Sequence, residues 1–366
     1  MKKIIIPLLI TILITSCTKQ ELDIHFITQE FKENIDKIEK VQYNVQNIMT
    51  FSDGTVWDNN GFVLLEKDKK DSIFGFSFYG IRNDINRSSI YKDGIGFQIH
   101  NEENNFRQEK GGLHFLGSPG GQMVYKDFFK LEDEYKNVEV LETENSYRII
   151  YSFEDVPKYG VTNRTKVLEL NFETFLPRKV TTSSETLQGK QSTVYIFKDV
   201  KTNNNLNKNI ADYIKGLNKL ELIKNENPKP NPLLKKPLPK ISLRNLLNEN
   251  ETIQIKNEKI TLIDFWEVWC GYCIKAFPEV EKLKNKYEND INVIGIVSQE
   301  KENAIKLVES NETTFLNLIG NKKLIKEFNI KSWPSYFLVD KNGIIQKEYR
   351  GFSNQIEKDI QELIEK

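Results

Sequence analysis

Trp269-Cys270-Gly271-Tyr272-Cys273 puts two thiols three residues apart, just after the apolar run Ile260 to Trp266 and just before Ile274 to Tyr287. The run reads as a buried strand and the following segment as a helix. Two cysteines at i and i+3 on the first helical turn can close a disulfide. The first then sits at the positive end of the helix dipole, near unpaired N–H groups, which favours its thiolate. The second lies one turn in, shielded, where it can attack a mixed disulfide. This is the chemistry of a dithiol–disulfide exchanger. A zinc half-site would need four ligands, yet the chain has 3 cysteines and its 3 histidines, His25, His100 and His114, lie far upstream. An inert clip across two residues would close almost no loop entropy.

The elements that must position this pair occupy the last third of the chain. Strands are expected at Ile260–Trp266, Ile291–Val297, Phe315–Ile319, Ser335–Val339 and Ile344–Arg350. Helices are expected at Cys270–Tyr287 (with Pro278 inside), Lys301–Glu309, Lys322–Phe328 and Asn354–Lys366, giving the order βαβαβαββα. Asp340-Lys341-Asn342-Gly343 is a hairpin turn. A strand pair, Lys240–Leu243 and Thr252–Ile255, precedes them.

With 366 residues, 39% hydrophobic and 28% charged, the chain has room for two ordinary domains. Its 52 basic and 52 acidic residues balance, which gives no footing for nucleic acid as a partner. Asn225 to Pro239 contains 5 of the 11 prolines and reads as a semi-rigid spacer. The expected division is therefore 1–16 as a targeting segment, 17–224 as a β-rich domain, 225–239 as a linker and 240–366 as the redox domain.

In the β-rich part a helix, Glu21–Lys40, carries Ile24, Ile27, Phe31, Ile35 and Ile38 on one stripe. Strands are expected at Val41–Phe51, Gly61–Glu66, Ile73–Tyr79, Ser88–Tyr91, Ile95–His100, Tyr147–Phe153, Lys166–Phe172, Arg178–Thr186 and Gln191–Val200. Asp93-Gly94 is a hairpin signal. Gly117 to Gly121 is a turn with a short helix after it, and Asn207–Leu222 reads as a closing helix.

Three resemblances add to this reading. Lys2-Lys3, the apolar Ile4–Ile14 and then Ile14-Thr15-Ser16-Cys17 resemble a lipoprotein signal peptide, which implies lipidation of Cys17. One cysteine on lipid and two in the redox pair leave no odd thiol for an oxidising compartment. Tyr91-Lys92-Asp93-Gly94, Leu168–Val180 and Gln188–Val200 resemble the lipoprotein-carrier superfamily typified by LolA, which implies a curved antiparallel sheet with helices around an apolar cavity. Ile263 to Cys273 resembles the thioredoxin active-site strand and helix. Trp333-Pro334 is similar to that fold's cis-proline turn. The preceding strand pair and the inserted Lys301–Ile319 resemble the membrane-tethered branch typified by TlpA and ResA. The fold class implied is an α+β domain followed by an α/β thioredoxin fold.

The thioredoxin resemblance implies roles residue by residue. Cys270 attacks and Cys273 resolves. Asp264, between Ile263 and Phe265 in a central strand, relays the proton of Cys273 through a raised pKa. Trp269, Gly271, Tyr272, Trp333 and Pro334 border the substrate. Many relatives of the tethered branch carry a Glu where this chain has Ala276, so no role of that Glu transfers. Glu267 reads as a solvated charge at a strand end. Gly271-Tyr272 supplies no positive charge to the thiolate, which favours a reductant. The function implied is a lipid-anchored, extracytoplasmic and periplasm-facing thiol–disulfide oxidoreductase acting on exported proteins. Neither cofactor nor metal is expected. Without nucleotide fingerprints, electrons would come from an integral-membrane thiol donor. The competing reading makes the β-rich domain the main function, as a ligand or partner binder with an ancillary redox head. A thiol peroxidase is disfavoured, because Pro and Thr before a lone cysteine are missing.

Overall fold

A computed structural model describes residues 23–224, 230–255 and 258–365. Cys17, the targeting segment 1–16 and the first part of the expected linker lie outside the described residues. No described helix is long and apolar enough to cross a membrane.

The upstream region opens with α1 (Ile24–Asp36), shorter at both ends than expected. Asp23 caps it by accepting from the His25 N–H, and Ile27, Phe31 and Ile35 form its buried stripe. The strands β1 (Lys40–Thr50), β2 (Val56–Lys67), β3 (Phe76–Arg82), β4 (Arg87–Lys92), β5 (Ile95–His100) and β6 (Asn105–Lys110) follow. Then come β7 (Asn137–Glu142), β8 (Ser146–Ser152), β9 (Thr162–Asn171), β10 (Pro177–Thr186) and β11 (Gly189–Thr202). A helix, α2 (Ile210–Gly216), and a short β12 (Glu221–Leu222) close the region. The strands form one sheet in the order β12-β6-β5-β4-β3-β2-β1-β11-β10-β9-β8-β7. Neighbours are antiparallel except β12, which pairs parallel with β6.

Asp93 and Gly94 both have positive φ, 52° and 73°, as the two-residue turn between β4 and β5 requires. Three strands, β6, β7 and β12, were not among those expected. β6 was not foreseen because Asn-Phe-Arg-Gln-Glu-Lys carries a single apolar residue, Phe106, and none of its residues is fully buried. β7 does carry an alternation, with Val138 and Val140 packed on the core. The last turns of the expected closing helix instead become β12 at the sheet edge.

Alternation in the strands sorts the apolar residues between two layers. One face buries Val41, Tyr43, Val63, Leu65, Phe78 and Tyr91 under α1 and the segment 113–131. Tyr43 stacks on Phe128 at 5.0 Å, and Phe197 meets it edge-on at 5.0 Å. The 117–121 turn lies against the sheet so closely that a Cβ on Gly80 would meet the Gly120 carbonyl oxygen at 2.2 Å. The opposite face buries Leu64, Ile90 and Ile99 under α2. An opening of about 440 Å³ on the sheet is lined by charged residues, Asp127, Glu132, Arg164 and Lys166, and by hydroxyl residues, together with Met49, Phe51 and Phe153. Lys166 is buried there, ion-paired with Glu132 and with Asp127 at 3.6 Å.

The second sheet holds β13 (Ser242–Asn245), β14 (Thr252–Gln254), β15 (Ile260–Trp266), β16 (Ile291–Val297), β17 (Leu316–Ile319), β18 (Ser335–Val339) and β19 (Ile345–Arg350). Their order is β14-β13-β17-β16-β15-β18-β19, with β15, β16 and β17 parallel. The helices are α3 (Gly271–Lys286), α4 (Lys301–Ser310), α5 (Lys322–Glu327) and α6 (Gln355–Ile364). This is the thioredoxin-like arrangement. β15 is buried at every residue, as a central strand covered on both faces must be.

The expected spacer 225–239 needs correction over its described part. Asn231 is buried and donates to the Phe328 carbonyl at 2.9 Å. Leu233, Leu234 and Leu238 pack on the core formed by Phe265, Phe328 and Phe337, and Pro237 bridges to Ile344. The segment turns at residues 232–235, and its leucines fasten it to the second sheet.

Candidate redox site

β15 runs straight into the cysteine turn. Along it Leu262, Asp264 and Trp266 share one face, because strand side chains alternate. Leu262 and Trp266 belong to the core that also contains Cys270, Cys273, Ile274 and Phe277. Trp266 is held by its indole N–H, which donates to Asn317 Oδ1 at 2.9 Å, and by edge-on contact with Phe277.

Cys270 is the N-cap of α3. Its Sγ accepts from the Cys273 backbone N–H at 3.1 Å, and its own N–H donates to the Glu267 carbonyl at 3.0 Å. The sulfur therefore occupies the place where a helix start offers unpaired N–H groups and positive potential. The two cysteines are joined, with Cα atoms 5.3 Å apart. Cys273 is 0% exposed and Cys270 6%. Pro278 lies inside α3, which continues to Lys286.

The aromatic flanks are open. Trp269 is 49% exposed and Tyr272 76%. Trp269 approaches Trp333 at 5.4 Å between ring centres, and the Trp333–Pro334 peptide is cis. Tyr272, Lys275, Trp333, Pro334 and Phe352 border an open groove of about 490 Å³. Trp269 and Gly271 border a second cavity on the other side of the cysteine turn.

Asp264 is fully buried, and neither carboxyl oxygen has a hydrogen-bond partner among the described residues. Burial raises its pKa well above the usual carboxylate range. Across the ladder it faces Tyr336, whose buried hydroxyl is also raised, by desolvation first and then by the Asp264 charge. β16 carries no Lys or Arg opposite it.

Glu267 departs from expectation. It is not a solvated strand-end charge but 0% exposed. Its Oε1 accepts from the Ser298 N–H at 3.2 Å and from the Ser298 hydroxyl, tying the end of β15 to the end of β16. Burial raises its pKa, and the bonds from Ser298 oppose the rise.

Sequence reasoning also missed Lys275, whose ammonium lies 5.8 Å from the Tyr272 ring centre and which borders both cavities. Its signal was available, since it stands on the exposed face of α3 one turn beyond Gly271. Nor did it foresee that two tips of the upstream sheet reach this site. Tyr159, from the short turn Pro157–Tyr159, and Leu187, from the β10–β11 hairpin tip, pack on the core containing Cys270 and Cys273.

The Redoxin family profile matches residues 234–364. The chain is 30% identical over 117 residues to the thioredoxin-like protein YneN of Bacillus subtilis, covering 31% of this chain and 69% of that protein. It is 28% identical over 123 residues to the thiol-disulfide oxidoreductase ResA of Bacillus thuringiensis subsp. konkukian, covering 32% and 70%. Among solved structures, the thioredoxin domain of a thiol-disulfide oxidoreductase from Bacteroides vulgatus aligns with a TM-score of 0.32 at 21% identity, covering 35% of this chain and 97% of that domain.

Proposed function

The chain belongs to the thioredoxin-like family of thiol–disulfide oxidoreductases, and from that premise we propose that it is a lipid-anchored, extracytoplasmic enzyme that reduces disulfides of exported proteins. The observation that carries the reading is the Cys270 sulfur at the start of α3, accepting the Cys273 N–H beside an exposed Trp269.

The cycle begins with both thiols reduced. The Cys270 thiolate, favoured by the helix start, attacks one sulfur of the client disulfide. The client's other sulfur leaves as a thiolate and takes a proton from water. Cys273 then gives its proton to the Asp264 carboxylate and attacks the Cys270 sulfur. The second client thiolate leaves, and the enzyme is left as the Cys270–Cys273 disulfide, the state seen here. Two electrons have passed from enzyme to client. An integral-membrane dithiol donor returns them. Trp269, Gly271, Tyr272, Trp333 and Pro334 border the surface on which the client lies. Cys17 carries the lipid that holds the protein at a periplasm-facing membrane surface.

Replacing each cysteine separates the steps. Cys270→Ser abolishes reduction of insulin. Cys273→Ser still attacks and accumulates mixed disulfides, visible on non-reducing gels. Retention of insulin reduction by both single variants overturns the dithiol cycle.

A further inference from the structure

The upstream sheet meets the redox domain through two loop tips and one helix. α4 supplies the polar contacts. Asn303 Nδ2 donates to the Leu187 carbonyl at 3.2 Å, and Asn311 Nδ2 donates to the Lys158 carbonyl at 2.6 Å. Gln188 Nε2 donates to the carboxylate of Glu300, the residue that precedes α4. The two tips also brace each other. Gly160, at φ 62°, leaves so little room that a Cβ there would meet Leu187 Cγ at 2.5 Å.

Held in this way, the tips stop short of the cysteine turn and enclose a cavity of about 260 Å³. One apolar wall is Tyr159, Val161 and Leu187; the other is Trp269 and Ile274 beside Gly271; Gln188, Gln191 and Lys275 also border it. Two features decide what fits. The volume is below the roughly 300–1,000 Å³ of sites that bury a small-molecule ligand, so the space suits a side chain. Its walls are also continuous with the reacting surface, because Trp269 and Gly271 are the residues on either side of Cys270.

We infer that this cavity is a subsite for an apolar side chain of the client, next to the half-cystine that Cys270 attacks. The inference rests on the reductase reading above and adds its substrate class: extended client segments in which a leucine-sized residue neighbours the cysteine. The upstream domain then serves catalysis as the second wall of the substrate site, contributing Leu187, Tyr159 and Val161. Trp269 stands between the two client contacts, with the cis-Pro334 groove on one side and the apolar subsite on the other.

The test uses the full chain with both thiols reduced. Two short peptides are compared, each with its cysteine disulfide-linked to thionitrobenzoate, one with leucine and one with serine before the cysteine. The Cys270 thiolate attacks the peptide sulfur, and thionitrobenzoate leaves with the electron pair and is followed by its colour. The expected ratio of single-turnover rates, leucine over serine, is about tenfold, the discrimination a small apolar pocket gives. Val161→Trp fills the cavity and should bring the ratio to about one. Leu187→Ala removes part of the wall and should lower it. An equal rate for the two peptides in the wild-type chain overturns the inference, as does a ratio that survives both substitutions. If Val161→Trp does not fold, the wild-type ratio and Leu187→Ala decide. Failure of the wild-type chain to release thionitrobenzoate from its own symmetrical disulfide is a different result: it refutes the reductase reading itself.

Discussion

Asp264→Asn separates a stability effect from a catalytic one at the same residue. The wild-type carboxyl is wholly buried with no hydrogen-bond partner among the described residues, and burial raises its pKa. In the unfolded chain an aspartate titrates near pH 3.9. Between that value and the higher folded value, the native state binds more protons than the unfolded state. The group's stability contribution is therefore fully present below the unfolded value and is lost as pH rises through the folded one. An unpartnered buried polar group costs about 1–3 kcal/mol, and more once it is charged. The nearly isosteric amide keeps the neutral part of that cost and cannot ionise. Urea denaturation of the oxidised protein, in which neither cysteine titrates, should show wild-type stability falling relative to the variant as pH rises above about 4, by about 1.4 kcal/mol for each pH unit between the unfolded and the folded pKa. Turnover should move the other way. Without an acceptor for the Cys273 proton, the resolving step slows by about 10²-fold or more. Parallel stability curves for the two proteins would show that Asp264 does not titrate differently on folding. An unchanged rate of resolution would remove it from the proton path.

Glu267→Ala should cost about 1–3 kcal/mol by leaving the Ser298 N–H unpaired inside the protein, and Glu267→Gln, which keeps an acceptor oxygen there, should cost less. A solvated side chain would instead give changes within about 0.5 kcal/mol for both variants in denaturant titrations. A C-terminal fragment beginning at residue 230 should be more stable than one beginning at 240, by about 2–5 kcal/mol for three partly buried leucines at roughly 1.5–3 kcal/mol per full burial; equal midpoints would mean that Leu233, Leu234 and Leu238 contribute no stability. Cys17→Ser should release the protein from the membrane fraction and eliminate the acyl mass on its N-terminal residue, and a mature wild-type N-terminus other than an acylated Cys17 rules the anchor out.

Chemistry that depends on near neighbours in the chain was legible. The cysteine turn announced itself because the run Ile260 to Trp266, apolar but for Thr261 and Asp264, reads as a strand covered on both faces, and the thiols follow it at helical spacing. Asp264 was legible for the same reason, since an acid inside such a run has nowhere to reach water. Glu267 stands one residue past the run, where local sequence cannot distinguish a strand end in solvent from one capped by a neighbouring strand. Its burial depends on Ser298, 31 residues away. The proline-rich segment was misread because proline reports only a restricted backbone, which suits a spacer and a segment docked on a sheet equally. Leu233, Leu234 and Leu238 are what dock it.

The approach of the upstream tips to Cys270 could not be read from either domain alone, and its chemistry explains why. The amides of Asn303 and Asn311 bind the carbonyls of Leu187 and Lys158, groups that every residue carries. These two bonds place no demand on the tip side chains, because they engage the backbone; Gln188, bound to Glu300, is the tip side chain that does take part. The side chains of Tyr159 and Leu187 are thereby relieved of the docking hydrogen bonds and turn their apolar surface to the redox core and to the cavity beside Trp269. The helix inserted between β16 and β17 thus has a physical reason to be there. It fixes the distance between two tips of one sheet and the sulfur beside the other.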